Sequence, residues 1–228
     1  MPVAATPLRV AVVEDQPLFR DLLVSYLNAQ DSVSVVFEAS TACAARQQLT
    51  ARPVDVAVLD IALPDGNGLE LGLALREQNA DIGILLLSSQ DVMEVLLSVP
   101  KEQRSGWSYL SKNSTTSSDT LLRALRASSE HRSMLDPSLV HASRPRAGTA
   151  VANLTDRQLE ALQLLASGLS NRALAEQLGI STHSVENLLN SVYTALDLTA
   201  DTSQNRRVAA VLQFLEHSSR VSAPTLSR

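Results

Sequence analysis

Through the first half of the chain, short apolar runs alternate with stretches whose apolar residues recur at helical spacing. Leu8–Val13 is an apolar run that ends in Glu14-Asp15 and reads as a strand. Pro17 opens a helix carried by Phe19, Leu22, Leu23, Tyr26 and Leu27, at a position where its missing N–H would have no partner anyway. Val33–Phe37 predicts a second strand and Ala42–Leu49 an Ala-rich helix. The run from Val54 to Asp60 is bounded by Pro-Asp-Gly-Asn-Gly, so it reads as a strand buried on both faces, with a helix behind it to about Gln78. Ile82–Leu87 predicts a fourth strand ending in Ser88-Ser89, and Val92–Leu97 a short helix stopped ahead of Pro100. Trp107–Leu110 predicts a fifth strand ending near Lys112, and Asp119 or a serine before it caps a last helix with Leu121, Leu122 and Leu125. Strictly alternating strands and helices make residues 1–126 an α/β domain with a doubly wound five-stranded parallel sheet.

The second half carries helical spacing only. Residues 127–150 are richer in Ser, Arg, Pro and Gly, and read as a connector. Asp136-Pro137 predicts a cap and first position of a short helix, and Ser143–Ala150 a flexible linker. Thr155 with Gln158 three residues on has the pattern of a capping box, and opens a helix with Leu159, Leu162, Leu165 and Ala166 that ends at Gly168. Ser170 caps the next helix, Gly179-Ile180-Ser181 is a tight turn, and a further helix carries Val185, Leu188, Leu189, Val192 and Leu196. A last helix holds Val208, Val211, Leu212 and Leu215. Helix, Gly-containing turn, helix is the geometry that lays the later helix in a DNA major groove. Residues 151–220 therefore predict a small all-α helix-turn-helix domain, with 221–228 a tail.

Composition narrows the class. No apolar run approaches the ~18 residues a membrane helix needs, and MPVAATPLRV lacks the pattern of a signal peptide. The single Cys43 excludes an internal disulfide framework and fits a reducing, cytoplasmic setting. The net charge of −5 does not favour nucleic acid by itself, but the excess of acid lies in residues 1–126. His131 and His141 are isolated and lack metal-ligand spacing.

The strand ends collect Glu14, Asp15, Asp60, Ser88 and Lys112, and a parallel sheet brings them to one edge. Clustered carboxylates repel, and a divalent oxygen-seeking ion relieves the repulsion. A carboxylate is also a competent nucleophile toward phosphorus, and a metal, an ammonium and a hydroxyl can stabilise the charge that moves. Taken singly, each residue has a plainer role: a solvated turn for Glu14-Asp15, a cap for Ser88, a surface cation for Lys112, a core aromatic for Tyr109.

Taken together, residues 8–126 resemble the receiver domain of bacterial response regulators, which has the flavodoxin-like form of this sheet. The resemblance implies that Asp60 accepts the phosphoryl group. It implies Mg²⁺ held by Asp15, Glu14, Asp60 and the backbone carbonyl of Ala62. Ser88 and Lys112 would bind the phosphoryl group, and Tyr109 would turn inward as a switch. A haloacid dehalogenase-type phosphohydrolase would need Asp-x-Asp, and position 62 is Ala, so the protein is not expected to be an enzyme.

The stretches LTDRQLEALQLLASGLSNRALAEQLGIS and SVENLLNSVYTALDL are similar to LuxR-type DNA-binding domains. With a receiver in front, the chain resembles a response regulator of the NarL/FixJ family. The resemblance implies a sensor histidine kinase as phosphodonor, promoter DNA as target, and a homodimer when phosphorylated. One departure is specific: Thr182–Ala195, where the recognition helix falls, contains neither Lys nor Arg, and Glu186 stands where the family often has a base. Candidate base readers are Asn187 and Asn190, and Glu186 is counted among the candidate DNA-binding residues with no base assigned to it. Candidate phosphate contacts are Arg157, Asn171, Arg172, Thr182, His183, Ser184, Arg206 and Arg207. The same departure fits an alternative, a regulator acting mainly through protein–protein contacts.

Overall fold

The computed structural model describes residues 6–49, 53–89, 99–100, 105–112, 118–198 and 206–220. The helix expected at Val92–Leu97 and the tail at 221–228 lie outside the described residues. The chain divides into two compact units, Met1–Arg132 and Ser133–Arg228.

The first unit is built on β1 (Leu8–Val13), β2 (Val33–Ala39), β3 (Val56–Asp60), β6 (Gly83–Ser88) and β7 (Trp107–Ser111). They form one sheet in the order β2-β1-β3-β6-β7, every pair parallel. All five residues of β3 and all six of β6 are buried, as central strands covered on both faces must be. The helices are α1 (Pro17–Asn28), α2 (Ala42–Leu49), α3 (Gly68–Gln78) and α4 (Ser118–Ser129). Pro17 stands at the first turn of α1, where its ring suits the helix and no N–H is missed. Asn67 caps α3, its side chain accepting from the Leu69 N–H at 2.8 Å.

Between β3 and α3 the chain makes a small antiparallel hairpin, β4 (Ala62–Leu63) and β5 (Gly66–Asn67), where the sequence read only as a turn. At its tip Asp65 accepts from the N–H groups of Ala42 (2.7 Å) and Cys43 (2.8 Å). These bonds hold the Asp65 carboxyl below its ordinary range. The loop after Asp60 is thereby tied to the start of α2.

The second unit holds α5 (Pro137–Ala142), a short 3₁₀ turn (Val151–Asn153), α6 (Asp156–Ala166), α7 (Asn171–Leu178), α8 (Thr182–Ala195) and α9 (Arg206–Glu216). Among the described residues, four of the five α-helix starts are capped by a nearby Asp, Ser or Thr. Asp136 caps α5, Thr155 and Gln158 form the full capping box of α6, Ser170 caps α7 and Ser181 caps α8. Gly179, at φ 65°, ends α7 in the left-handed conformation, which only glycine adopts freely. The core gathers Leu162, Leu165, Leu174, Val185, Val192, Val211 and Phe214.

The expected flexible linker at Ser143–Ala150 is corrected by the structure. Ser143–Pro145 is a strand, β8, paired antiparallel with β9 (Ser218–Arg220). Arg146 N–H donates to His217 O at 2.7 Å, and Thr149 Oγ1 donates to Arg146 O at 2.7 Å. The backbone groups of this polar stretch are satisfied by a segment about 75 residues away, a partner that local composition does not reveal. Among the described residues, no helix is long and apolar enough to cross a membrane.

Candidate functional site

In the sheet register Asp60 lies beside Leu87 on β6, and Ser88 beside Ser111 on β7. The Ile61 N–H donates to Leu87 O at 3.0 Å and the Lys112 N–H to Ser88 O at 2.7 Å. The ladder thus delivers Asp60, Ser88 and Lys112 to one edge, next to Glu14 and Asp15 at the end of β1.

Lys112 holds the centre. Its Nζ lies 2.8 Å from Asp60 Oδ2 and 2.8 Å from Glu14 Oε2, with Glu14 Oε1 at 2.9 Å. All three side chains are at least nine-tenths buried. The Lys112 ammonium also sits 4.9 Å from the ring centre of Phe19 on α1, within cation–π range. The other oxygen of Asp60 accepts from the Ala62 N–H at 3.1 Å. Ser88 is buried at the end of β6.

Burial pushes the Glu14 carboxyl up from its ordinary value; the Lys112 hydrogen bond opposes this and the Asp60 charge reinforces it. For Lys112, burial works against the ammonium, but the hydrogen bonds and charges of Asp60 and Glu14 outweigh it and hold the pKa up.

Glu14, Asp15 and Asp60 each bring a carboxylate oxygen within 4.8 Å of the others. Asp15 Oδ1 is buried without a hydrogen-bond partner among the described residues. A buried acceptor with no donor, inside an all-oxygen acidic set, fits a hard divalent cation. The residues present therefore suit Mg²⁺.

Two parts of this site were not read from the sequence. Gly68 packs against the strand end so closely that a Cβ there would collide with the carbonyl oxygen of Asp60 and lie 2.8 Å from its carbon. The Gly-Asn-Gly signal was visible, but only as a turn. The second is Phe19 over Lys112, a contact between α1 and the end of β7 that no local pattern marks.

The Tyr109 ring is fully enclosed, at 0% exposure in the middle of β7.

In the second unit the candidate DNA residues are spread over α6, α7, α8 and α9. Thr182, His183, Ser184, Glu186, Asn187 and Asn190 are all exposed along α8. The four candidate arginines already have partners. Arg157 donates to Glu160 (2.8 Å) and to Leu178 O (2.6 Å), and Arg172 to Glu176 (3.3 Å). Arg206 lies 5.1 Å from the ring centre of Tyr193, and Arg207 bonds Asn171 Oδ1 (3.0 Å) and Leu169 O. Asn171, Glu186, Leu189, Asn190, Tyr193, Arg206 and Arg207 line one cleft of about 380 Å³.

A parallel α/β unit with an acidic trio and a lysine at its strand ends, followed by a helix-turn-helix unit, defines a receiver joined to an effector. Comparison with known proteins bears this out. The family model of the response regulator receiver domain matches residues 10–126, and that of the bacterial regulatory proteins of the luxR family matches residues 152–212. The chain belongs to the two-component response regulators that carry a LuxR-type DNA-binding domain, the NarL/FixJ type. The probable transcriptional regulatory protein NarL of Mycobacterium tuberculosis is 30% identical over 196 residues, covering 84% of this chain and 89% of its own. The DNA-binding transcriptional activator DevR/DosR of the same organism is 31% identical over 197 residues, with the same coverage of 84% and 89%. A solved complex of the two-component response regulator RcsB with DNA shares the fold, at a TM-score of 0.52 and 19% identity over 93% of this chain and 99% of that one.

Proposed function

We propose that this protein is a transcriptional regulator switched by phosphorylation of Asp60, with a sensor histidine kinase as phosphodonor and promoter DNA as target. The observation that carries the reading is the buried Lys112 bridge between Asp60 and Glu14, beside the unpartnered oxygen of Asp15.

An oxygen of Asp60 attacks the phosphorus of a phosphohistidine, the P–N bond breaks, and an acyl phosphate forms on Asp60. The Ala62 N–H, already on Asp60, orients the carboxylate. Lys112 leaves its bond to Asp60 Oδ2 and pairs with the incoming phosphoryl oxygens, and the Ser88 hydroxyl donates to another. Glu14, Asp15, Asp60 and the Ala62 carbonyl would hold Mg²⁺, which would supply positive charge against the transferring oxygens. The phosphoryl group adds about −2 charge to the strand end. That charge shifts the surface between the fourth sheet strand and α4, which is how dimerisation and DNA binding become linked to the signal. No turnover beyond phosphate acceptance and slow hydrolysis is part of this reading, and the setting is the cytoplasm.

Residues 1–126 form the receiver in this account, 127–150 the connector and 151–220 the effector. On the effector, Asn187 and Asn190 face the bases, Thr182, His183, Ser184, Asn171 and the arginines 157, 172, 206 and 207 face the phosphates, and Glu186 lies among them on α8. One observation favours a second reading, action mainly through protein contacts: α8 has no basic residue and the arginines around it are already engaged.

The test is covalent labelling. The full chain incubated with Mg²⁺ and a small-molecule phosphodonor gains one acid-stable, hydroxylamine-labile phosphoryl group by intact mass. Asp60→Asn gains none. Equal labelling of the variant overturns the assignment.

A further inference from the structure

The recognition helix of this chain offers an unusual donor and acceptor set. Glu186 and Asn190 are four residues apart on α8, and so are neighbours on one face, with Asn187 beside them. All three are exposed. The only ion pair of Glu186 among the described residues is with His183, at 3.9 Å between two largely exposed side chains. Such a contact holds the carboxylate weakly and leaves it able to turn to another donor. Among the described residues, the Asn190 side-chain amide is unpaired. Guanine presents two acceptors in the major groove and is read by Arg or Lys, which this helix lacks. Cytosine presents an N4 amino donor, which a carboxylate accepts. Adenine presents an acceptor and a donor side by side, which an Asn amide matches.

A carboxylate aimed at DNA also meets the phosphates, and repulsion must be tempered. Arg206 and Arg207, from the start of α9, line the same cleft as Glu186 and Asn190. Arg206 is exposed and rests on Tyr193, which fixes its guanidinium near the helix without neutralising it. The cations missing from the recognition helix are thus supplied alongside it.

We propose that Glu186 is the specificity-determining residue of the effector: it accepts from the N4 amino group of a cytosine, with Asn190 matched to an adenine nearby, so that the half-site is chosen through cytosine and adenine. This rests on the DNA-binding reading above and specifies its target.

The experiment is selection from a duplex pool with a randomised core, using the phosphorylated full chain at low salt, followed by affinities on the four single-base variants of the selected position. Wild type should enrich cytosine at one position of each half-site and favour it about tenfold over the other bases. In Glu186→Gln that preference should fall at this position alone, and in Glu186→Lys it should move to guanine. If Glu186→Gln keeps the cytosine preference, or tightens binding to all sequences equally, the carboxylate is only a repulsive charge; the proposal then fails and DNA binding stands. If wild type enriches no sequence and binds no duplex at low salt, the DNA-binding reading itself fails, and this inference with it.

Discussion

Lys112 Nζ lies 2.8 Å from Asp60 Oδ2 across 52 residues of chain, and the same ammonium reaches both oxygens of Glu14. One cation therefore bridges two buried carboxylates in the resting protein. Removing it in Lys112→Met leaves both charges without compensation. Breaking a buried pair from one side costs about 3–5 kcal/mol. Urea unfolding at pH 8 should show a loss of that order. The loss should shrink as pH falls, because Glu14, whose pKa burial raises, takes up a proton in the folded variant more readily than in the unfolded chain.

Gly68 is required by the carbonyl of Asp60. A methyl group there meets the backbone of the strand end, the Asp60 carbonyl and the Ile61 Cα at 3.2 Å. Gly68→Ala should lower stability by about 3 kcal/mol. In the surviving folded fraction the displaced Asp60 should be phosphorylated about a hundredfold more slowly. Gly66→Ala, two residues away, finds only the Cβ of Ala42 at 3.5 Å and should leave both quantities unchanged. Denaturant midpoints and the rate of labelling by a small phosphodonor decide between these outcomes.

Divalent metal should stabilise the folded chain through Asp15. Its unpartnered oxygen gains a cation on binding, and at a Mg²⁺ concentration ten times Kd the gain is about 1.4 kcal/mol. The rise in Tm on adding Mg²⁺ should be absent in Asp15→Asn. An equal rise in the variant would place the ion elsewhere.

The acid limb of stability should depend on Asp55. Arg9 donates to it from the backbone N–H (2.8 Å), Nε (3.1 Å) and Nη2 (2.6 Å), joining β1 to the approach of β3. These bonds, led by the side-chain pair, hold the Asp55 carboxyl below its ordinary value of 3.8. An acid whose pKa falls on folding contributes stability above its unfolded pKa and loses it as pH drops through the folded one. Asp55→Asn should therefore lower the urea midpoint at pH 7, and the difference from wild type should close below pH 3.8.

Local chemistry was legible in the sequence. Ala42–Leu49 was read with its observed bounds, and the Thr155–Gln158 box and the Ser170 cap follow from residues three apart. The pocket was legible too, although Lys112 and Glu14 are 98 residues apart. Parallel strands put their carboxyl ends on one edge, so topology did the work of proximity. Contacts outside that rule were not legible. Asp65 capping α2 spans 23 residues, and β8 with β9 joins two short polar segments that carry no alternating pattern.

The central claim is that phosphorylation of Asp60 controls DNA binding, and it is tested most directly by titrating the full chain onto genomic DNA fragments, phosphorylated and unphosphorylated, across a range of salt. The account predicts sequence-selective binding that strengthens on phosphorylation and is lost in Asp60→Asn. It predicts a shallow dependence on salt, since each phosphate neutralised contributes a slope of about −0.9 and the recognition helix supplies no cation. Binding that is equal in both states would contradict the switch. No binding in either state at low salt would contradict the DNA target and leave protein contacts as the effector's output.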